Sequence, residues 1–499
     1  MKHDRRGFLK GFGSFGFLPL IGNEVILPVV NVKDHGAKGD GVTNDTAAFV
    51  AATAALNTAK QGTLLIPYGT YIVGVQIGPP GNAVSGYAYT YRDIVNLQNC
   101  TGRVLVKGQT DVSGKRPILR AATGMRFGAF DPVTGAPYAS THHFLDKNYQ
   151  ASVYEGMIKI KNCASAYISD LELDGNQSNL VLGGIWGDTG YQCQGSGIVS
   201  QLNGSVECVN VYSHHQALDG IHLSGSLGRP VEYRPHILRS CVFQYNARNN
   251  FSWTACSGIR AYNCDFSHAG MGSFESAPGS GIDIEPDNQI EDGLFENCTF
   301  QHNYVYGVVS DGNRNVLGNI KFESCRITAH IESIGGSMLV RNPMTFSNCT
   351  IIGSMGAGLS SLPISSVVFT NCSIADVQAK DWGSGYLMVG SNASTALVSC
   401  SITAHRQVCG NLNNARLSNC RFICARPLTQ PPPHENNAYD MEFINVRNAI
   451  VDNCIFEDAI PAGGDPKKKL FISNLGATYT NNTITPGPFP ASRLYTNSS

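Results

Sequence analysis

The stretch Asn297-Cys298-Thr299-Phe300 belongs to a phrase that recurs along the chain and decides its fold. Each copy opens with Asn or Ser, continues with Cys, and alternates polar with apolar residues, which is the period of a strand with one buried face. Copies follow one another at about 20 to 34 residues, the spacing of solenoid repeats. The others are Ser240-Cys241-Val242-Phe243, Asn263-Cys264-Asp265-Phe266, Ser324-Cys325-Arg326-Ile327, Asn348-Cys349-Thr350-Ile351, Asn371-Cys372-Ser373-Ile374, Ser399-Cys400-Ser401-Ile402, Asn419-Cys420-Arg421-Phe422 and Asn453-Cys454-Ile455-Phe456. The repeat predicts an all-β solenoid.

Cys occupies the same position in every copy, and the alternation directs it inward together with the following Phe or Ile. Coils of a parallel solenoid stack about 4.8 Å apart, so equivalent residues form ladders along the axis. Nine cysteines at one position therefore predict a buried, reduced ladder of small apolar side chains. Disulfides between successive coils are the alternative. Asn481-Asn482-Thr483-Ile484 closes the series with Asn in place of Cys.

The segment before the repeats carries a second pattern. Asp34-His35-Gly36-Ala37-Lys38-Gly39-Asp40-Gly41 leads into an Ala-rich helix predicted from about Thr46 to Ala59, with Asn44 or Asp45 as its cap. Gly62-Thr63-Leu64-Leu65-Ile66-Pro67-Tyr68-Gly69-Thr70-Tyr71 then predicts strand, turn and strand.

This N-terminal pattern closely resembles the first module of the pectate-lyase-like superfamily. The resemblance implies a right-handed parallel β-helix whose open end is covered by the N-terminal helix. The superfamily includes polygalacturonases, pectate and alginate lyases, epimerases, fructotransferases and phage tailspikes. It therefore implies an extended glycan as substrate but leaves the reaction open.

Composition excludes some functions. Charged residues make up 15% of the chain and the formal net charge is −1, so no overall field favours nucleic acid or an acidic membrane. No apolar run of eighteen residues occurs beyond the N-terminus, so no transmembrane helix is predicted.

The N-terminus resembles a twin-arginine export signal. Arg5-Arg6 and Phe8-Leu9-Lys10 precede a short apolar stretch, although no A-x-A cleavage site follows. The expected organisation is an export segment over 1–27, a cap module over 28–75 and the β-helix body over 76–499. A secreted or periplasmic protein is expected, and a chance basic N-terminus is the alternative.

Four consecutive coils can be aligned on a second strand. Ile221, Phe251, Ile282 and Val308 then share an inward column, and polar residues fill the outward columns. The outward carboxylates expected to be catalytic are Asp283, Glu285, Asp219 and Asp311. Clustered carboxylates repel, which raises one pKa as a general acid requires. A solvated acidic face or a calcium site are the alternatives, and no other cofactor is expected.

Asp219-Gly220 resembles the Asp-Gly of polygalacturonases. The next coils, however, carry Arg248-Asn249 where that family has paired Asp, and Ser280-Gly281 where it has His-Gly. Polygalacturonase activity itself is therefore not expected, while Asp219 stays a candidate.

Bases and cations surround the same coils and could bind substrate or abstract a proton. The loop 269–280 could wall the cleft. The expected substrate-binding residues are His222, Arg248, Asn249, His215, Tyr245 and His268.

Three functions fit these patterns. The leading hypothesis is a glycoside hydrolase, or a related glycosyl-transferring enzyme, that uses Asp283 and Glu285. The second is a polysaccharide lyase that acts on a uronate with His or Tyr and Arg248. The third is a glycan-binding protein or tailspike without catalysis. The expected partner is a polysaccharide, with the chain as a monomer or homotrimer.

Overall fold

The structure is a computed structural model. It describes residues 27–77, 90–128, 130, 154–183, 194–225, 235–285, 290–310, 316–330, 337–340, 343–357, 367–376, 386–389, 395–404, 407–424, 442–458, 471–485 and 494–496. Residues 1–26 of the expected export segment and Asp311 lie outside these ranges.

The chain winds into a parallel β-helix whose coils contribute one strand each to up to three long sheets, as the repeat predicts. Sheet 1 precedes the Cys corner of each coil. Its strands are Val29–Asn31, Gly62–Ile66, Arg103–Gly108, Ser165–Ser169, Val206–Val209, His236–Arg239, Ile259–Tyr262, Ile290–Glu296, Val316–Glu323, Met344–Ser347, Val367–Thr370, Thr395–Val398, Arg416–Ser418, Ile450–Asp452 and Thr478–Thr480.

Sheet 2 follows the Cys corner and is built in two blocks, which single bridges through Asp265 connect. The first block holds Asp40–Asn44, Thr70–Val73, Ile118–Ala121, Glu172–Asp174, Tyr212–His214 and Val242–Gln244. The second holds Thr299–Asn303, Arg326–Ala329, Thr350–Ile352, Ser373–Ala375, Ser401–Ala404, Arg421–Cys424, Ile455–Asp458 and Thr483–Thr485.

Sheet 3 completes the coil and carries the strand on which the polar columns were aligned. Its strands are Val95–Gln98, Gly156–Lys161, Ser196–Gln201, Ile221–Ser224, Phe251–Trp253, Ile282–Ile284, Val308–Ser310, Met338–Val340, Met355–Ala357, Tyr386–Val389, Gln407–Asn413, Glu442–Arg447, Phe471–Leu475 and Leu494–Thr496. Two small pairs lie outside the long sheets, namely Arg126–Gly128 with Val181–Gly183 and Gln76–Ile77 with Thr90–Tyr91.

The predicted helix forms at Thr46–Ala59, and short 3₁₀ turns occupy Val32–His35 and Gln177–Asn179. The helix buries Phe49 and Leu56 against the first strands of sheets 1 and 3. Asp45 occupies the N-cap, but its carboxylate accepts from the backbone N–H groups of Lys38 and Gly39 instead of from the helix. The helix thus covers the end of the solenoid, as the resemblance implied.

The side chains after the Cys corner stack inside the coil. Phe266 lies with its ring centroid 5.6 Å from that of Phe243 and 5.2 Å from that of Phe300. A second inner stack on sheet 1 joins Phe322 to Phe295 at 4.8 Å and to Phe346 at 4.9 Å. The inward direction predicted from the alternation is confirmed.

The nine repeat cysteines are buried and free, which confirms the predicted ladder for the described residues. Their thiols donate to carbonyl oxygens of sheet 1, as Cys325 does to Phe295 at 3.3 Å. Asn482 takes the position after Cys454 and ends the ladder. Its Oδ1 accepts from the backbone N–H of Cys454 at 2.8 Å, and its Nδ2 donates to the carbonyl of Val451 at 2.9 Å.

Thiol titration should therefore give two different results. The unfolded, unreduced protein should react at thirteen or more of its sixteen cysteines, because thirteen are free in the structure. The folded protein should react slowly, because all thirteen of these thiols are buried away from the reagent. For Cys256, burial also raises the pKa of the thiol to about 12. A low thiol count in the unfolded protein would contradict the ladder and indicate disulfides.

Candidate active site

Sheet 3 pairs its strands in the register that the sequence alignment predicts. Ile221 pairs with Phe251, Phe251 with Ile282 and Ile282 with Val308, and all four side chains are buried in the core. The adjacent column holds His222, Ser252, Asp283 and Val309 and, because side chains alternate along a strand, points away from the core.

Pointing outward does not leave Ser252 and Asp283 solvated, which argues against a solvated acidic face, the alternative interpretation of these positions. Asp283 is 3% exposed and Ser252 is fully buried. The loop 269–280 folds over the preceding corner, with the N–H of Ser276 donating to the carbonyl of Ala247 at 2.6 Å. That this loop walls a cleft stays a prediction.

Asp219 and Arg248 form a buried ion pair beside this column. Arg248 donates through Nε to Oδ1 of Asp219 at 2.8 Å and through Nη2 to Oδ2 at 2.6 Å. The side chain of Asp219 is 0% exposed and that of Arg248 is 10% exposed. The pair therefore fixes the guanidinium by a bidentate contact in a site with little water.

Asn249 connects this pair to Asp283. Its Oδ1 accepts from the backbone N–H of Ser280 at 3.1 Å, so its Nδ2 must face Ser252 Oγ and Asp283 Oδ2, each at 3.1 Å. An amide nitrogen can only donate, so Oδ2 of Asp283 is an acceptor here. The carbonyl oxygen of a neutral carboxyl is the stronger acceptor, so this hydrogen bond favours a proton on Oδ1 of Asp283.

The electrostatics favour such a proton. Burial, and then the nearby Glu285 carboxylate, raise the pKa of Asp283 well above its ordinary value, although Arg248 opposes the shift. Glu285 follows two residues later, and its N–H donates to the carbonyl of Trp253 at 2.9 Å. Side chains at this spacing share one face of a strand, about 7 Å apart at Cβ.

His222 lies on the same face, two coils before Asp283. Its Nε2 is 3.1 Å from the hydroxyl of Thr254. Sequence reasoning thus brought Asp219, His222, Arg248, Asn249 and Asp283 together with Glu285, and the structure places them on three neighbouring coils. The alignment placed Ser252 and Thr254 in the same outward columns but assigned them no role.

Three expected binding residues lie elsewhere, at the corner between sheets 2 and 3. Tyr245 stacks between His215 and His268, with ring centroids 5.1 and 4.8 Å away. Burial lowers the pKa of His215 and of His268. The row continues to His302 and His330, which sequence reasoning missed.

A spacing signal could have found this ring row. Tyr245, His268 and His302 each follow a ladder cysteine by four residues, and all adopt a left-handed backbone with φ between 53° and 64°. Within the described residues, no group of three or more His, Cys, Asp or Glu is arranged to hold a metal ion. No described helix is long and apolar enough to cross a membrane.

Two family models match the chain. Residues 29–129 match the model described as rhamnogalacturonase A/epimerase, pectate lyase-like, and residues 247–423 match the right-handed β-helix region. Fold and matches together define a right-handed parallel β-helix protein. The similarity to the pectate-lyase-like superfamily is carried by residues 29–129 and agrees with the resemblance seen in the N-terminal sequence pattern.

Individual similarities are partial. The mannuronan C5-epimerase AlgE5 of Azotobacter vinelandii is 35% identical over 94 residues, which cover 19% of this chain and 9% of that protein. The AlgE4 A-module of the same organism aligns over 94% of this chain and 100% of its own, at 12% identity and a TM-score of 0.39. The Agl-KA catalytic domain aligns over 92% and 68%, at 13% identity and a TM-score of 0.49.

Proposed function

We propose that this chain is a polysaccharide-acting enzyme that hydrolyses glycosidic bonds, with Asp283 as the general acid and Glu285 as its carboxylate partner. The observation that carries the proposal is that Asp283 is 3% exposed and is followed two residues later by a second carboxylate, Glu285. Burial and this neighbour raise the pKa of Asp283. A protonated carboxyl next to an ionised one is what glycoside hydrolysis requires.

The surrounding residues have supporting roles in this proposal. Asp219 orients Arg248, whose charge interacts with both Glu285 and Asp283. Asn249 donates to Oδ2 of Asp283, which favours Oδ1 as the oxygen that donates the proton.

A second candidate is chemistry at C5 of a uronate, either β-elimination or epimerisation. Two observations favour it: the Arg248 guanidinium beside the acidic pair, and the partial identity with a mannuronan C5-epimerase. In this case a carboxylate or imidazole would remove the C5 proton.

One assay separates the candidates. The protein is incubated with neutral and acidic polysaccharides in D₂O, and three products are followed. New reducing ends without absorbance indicate hydrolysis, ultraviolet absorbance of an unsaturated uronate indicates elimination, and deuterium at C5 without chain shortening indicates epimerisation. Elimination or epimerisation as the sole outcome would refute the hydrolase.

Asn249→Ala should shift the pH dependence of kcat. The hydrogen bond from Asn249 favours the ionised form of Asp283, so its loss raises the pKa of the acid further. The alkaline limb of kcat should then move up by about one pH unit, because that equals ~1.4 kcal/mol, near the contribution of one hydrogen bond to a charge. Asn250→Ala is the control, since Asn250 is buried but bonds to the Ser267 carbonyl instead. If the alkaline limb of kcat does not move in Asn249→Ala, Asn249 has a structural role only.

We also propose export by the twin-arginine route. Replacing both Arg5 and Arg6 with Lys should retain the protein in the cytoplasm, as fractionation would measure. Equal export of the variant and the parent would contradict this route.

A further inference from the structure

We infer that Gln177 is a positioning residue: it holds the loop 269–280 as a fixed wall beside the outer face of sheet 3, and this wall binds the glycan several sugar units away from Asp283. This role rests on the proposed function, because it takes Asp283 as the point where the glycan is cleaved. It concerns binding of the glycan and not the chemical step.

The loop begins and ends on the coil of Asp283 and folds back over earlier coils. The N–H of Gly270 donates to the carbonyl of Asn246 at 2.7 Å, and that of Ser276 donates to the carbonyl of Ala247 at 2.6 Å. Both acceptors lie in the corner of the preceding coil. These bonds hold the two flanks of the loop but leave its tip, residues 271–275, to be held from elsewhere.

The tip of the loop reaches Gln177, which lies much further back along the solenoid. The N–H of Ser273 donates to Oε1 of Gln177 at 2.5 Å. Gln177 lies in the corner before the strand Ser196–Gln201, three strands of sheet 3 before Ile282–Ile284. Three coils correspond to about 14 Å along the axis. The loop therefore runs beside the outer face past His222 and not only beside Asp283.

Gln177 is itself fixed by the core. Its side chain is buried, and its Nε2 donates to the carbonyl of Gln216 at 3.1 Å, so that Oε1 must face the loop. Gln216 is fully buried, accepts from the hydroxyl of Tyr154 at 3.0 Å and donates to the carbonyl of Leu173 at 2.8 Å. The tip of the loop is thus tied to the interior of the solenoid through two buried amides.

The backbone of the tip lies directly on the Gln177 amide. A Cβ atom added at Gly272 would lie 2.0 Å from Oε1 of Gln177 and 2.9 Å from the carbonyl oxygen of Tyr245. The contact has no room for a side chain at this position, so Gly272 is required by the close approach. The wall is therefore formed before substrate arrives, which spares the glycan the cost of ordering it.

The tip presents accessible side chains of the kind that bind sugars. Ser273 is exposed, and Met271, Phe274 and Glu275 are half-buried. His222, on the outer face of the coils that the loop passes, is also half-buried. Apolar groups with a few polar ones suit a sugar ring, which has apolar faces and polar edges.

The test perturbs the contact from both sides. Gln177→Met keeps the size of the side chain but removes both hydrogen bonds, and Gly272→Ala pushes the tip away from Gln177. Asn203→Leu is the matched control. Asn203 is a fully buried amide at the other end of the strand Ser196–Gln201, and it bonds to Cys163 and Ile160 instead of to the loop.

The probes are alginate, polygalacturonate, α-glucan, β-glucan and galactan, each as polymer and as short fragments. For those that the parent cleaves, kcat and KM are measured. The Kd of every polymer is measured in the Asp283→Asn background, where cleavage does not interfere. Melting curves establish that each variant is folded, and one folded variant of Gln177 or Gly272 is enough for the comparison.

The expected result is a KM and a Kd for the polymer that rise about tenfold in Gln177→Met and Gly272→Ala, with kcat and its pH profile unchanged. The KM for the shortest cleaved fragments should rise much less, because they do not reach the tip. Asn203→Leu should lower Tm but leave KM unchanged.

An unchanged polymer Kd in a folded variant of Gln177 or Gly272, or an equal rise in Asn203→Leu, would overturn the role of Gln177 and leave the proposed function standing. An equal rise for polymer and fragments would do the same. Turnover that survives in Asp283→Asn would overturn the proposed function, while the Kd comparison would still decide whether the wall binds glycan. A parent that binds no polymer would overturn both.

Discussion

Asp283→Asn should lower kcat by about a hundredfold to ten-thousandfold, the range associated with loss of a general acid. The amide has the same shape and can still accept the hydrogen bond from Asn249, but it has no proton to transfer. Initial rates of reducing-end release on the active polymer measure the effect. Glu207→Gln is the matched control, because Glu207 is a half-buried carboxylate on the outer face of sheet 1, where it contacts Arg103 and Arg239.

The same variant should be at least as stable as the parent at pH 7. Because folding raises the pKa of Asp283, the folded state binds more protons than the unfolded state between the ordinary value of 3.8 and the raised one. Stability of the parent therefore falls as the pH rises through this window. Asp283→Asn has no such pH-dependent loss of stability. The Tm of the variant minus that of the parent should therefore increase from about pH 4 upward. Full turnover in Asp283→Asn would place the active centre elsewhere on the face.

The sequence predicted most of the fold because the decisive information is local and repeated. The Asn-Cys phrase marks one corner of each coil, and inward apolar residues fix the strand register, so that Ile221, Phe251 and Ile282 could be aligned without a structure. The helix at Thr46–Ala59 follows from its composition and from the polar residues before it.

The environment of the site could not be predicted in the same way. Asp283 is only 3% exposed although it points away from the core, and the loop 269–280 folds back over the corner at Ala247. No periodic pattern in the sequence encodes either feature. Asp219 and Arg248 lie at the corners that precede two neighbouring strands of sheet 3. Their ion pair depends on the side-chain directions at these corners, which the repeat does not specify.

Sequence reasoning also assigned residues from two different faces of the coil to one site, because they lie close together along the chain. His215, Tyr245 and His268 precede the sheet 3 strands by several residues, and a corner separates them from the outer column. Residues close in sequence can lie on different faces of one coil. Clustering along the chain is therefore not enough to place these stacked rings in the site.

Asp219→Asn should destabilise the protein by about 3–5 kcal/mol, the cost of leaving a buried charge without its partner. The Arg248 guanidinium stays charged and loses its ion pair in a position that is only 10% exposed. Denaturant midpoints at pH 7 measure the change. Turnover should fall too, because Arg248 would no longer be held against the acidic pair.

Asp292→Asn is the matched control for burial. Arg260 Nη2 reaches both oxygens of Asp292, at 2.9 and 2.8 Å, but side-chain exposures are 23% and 26%, so water can replace part of the contact. Its loss should amount to about 1 kcal/mol or less, as for solvated pairs. A double variant, Asp219→Leu with Arg248→Met, should recover much of the stability, because it removes both charges, yet should stay inactive. Equal losses in Asp219→Asn and Asp292→Asn would show that burial does not set the strength of the Asp219–Arg248 pair.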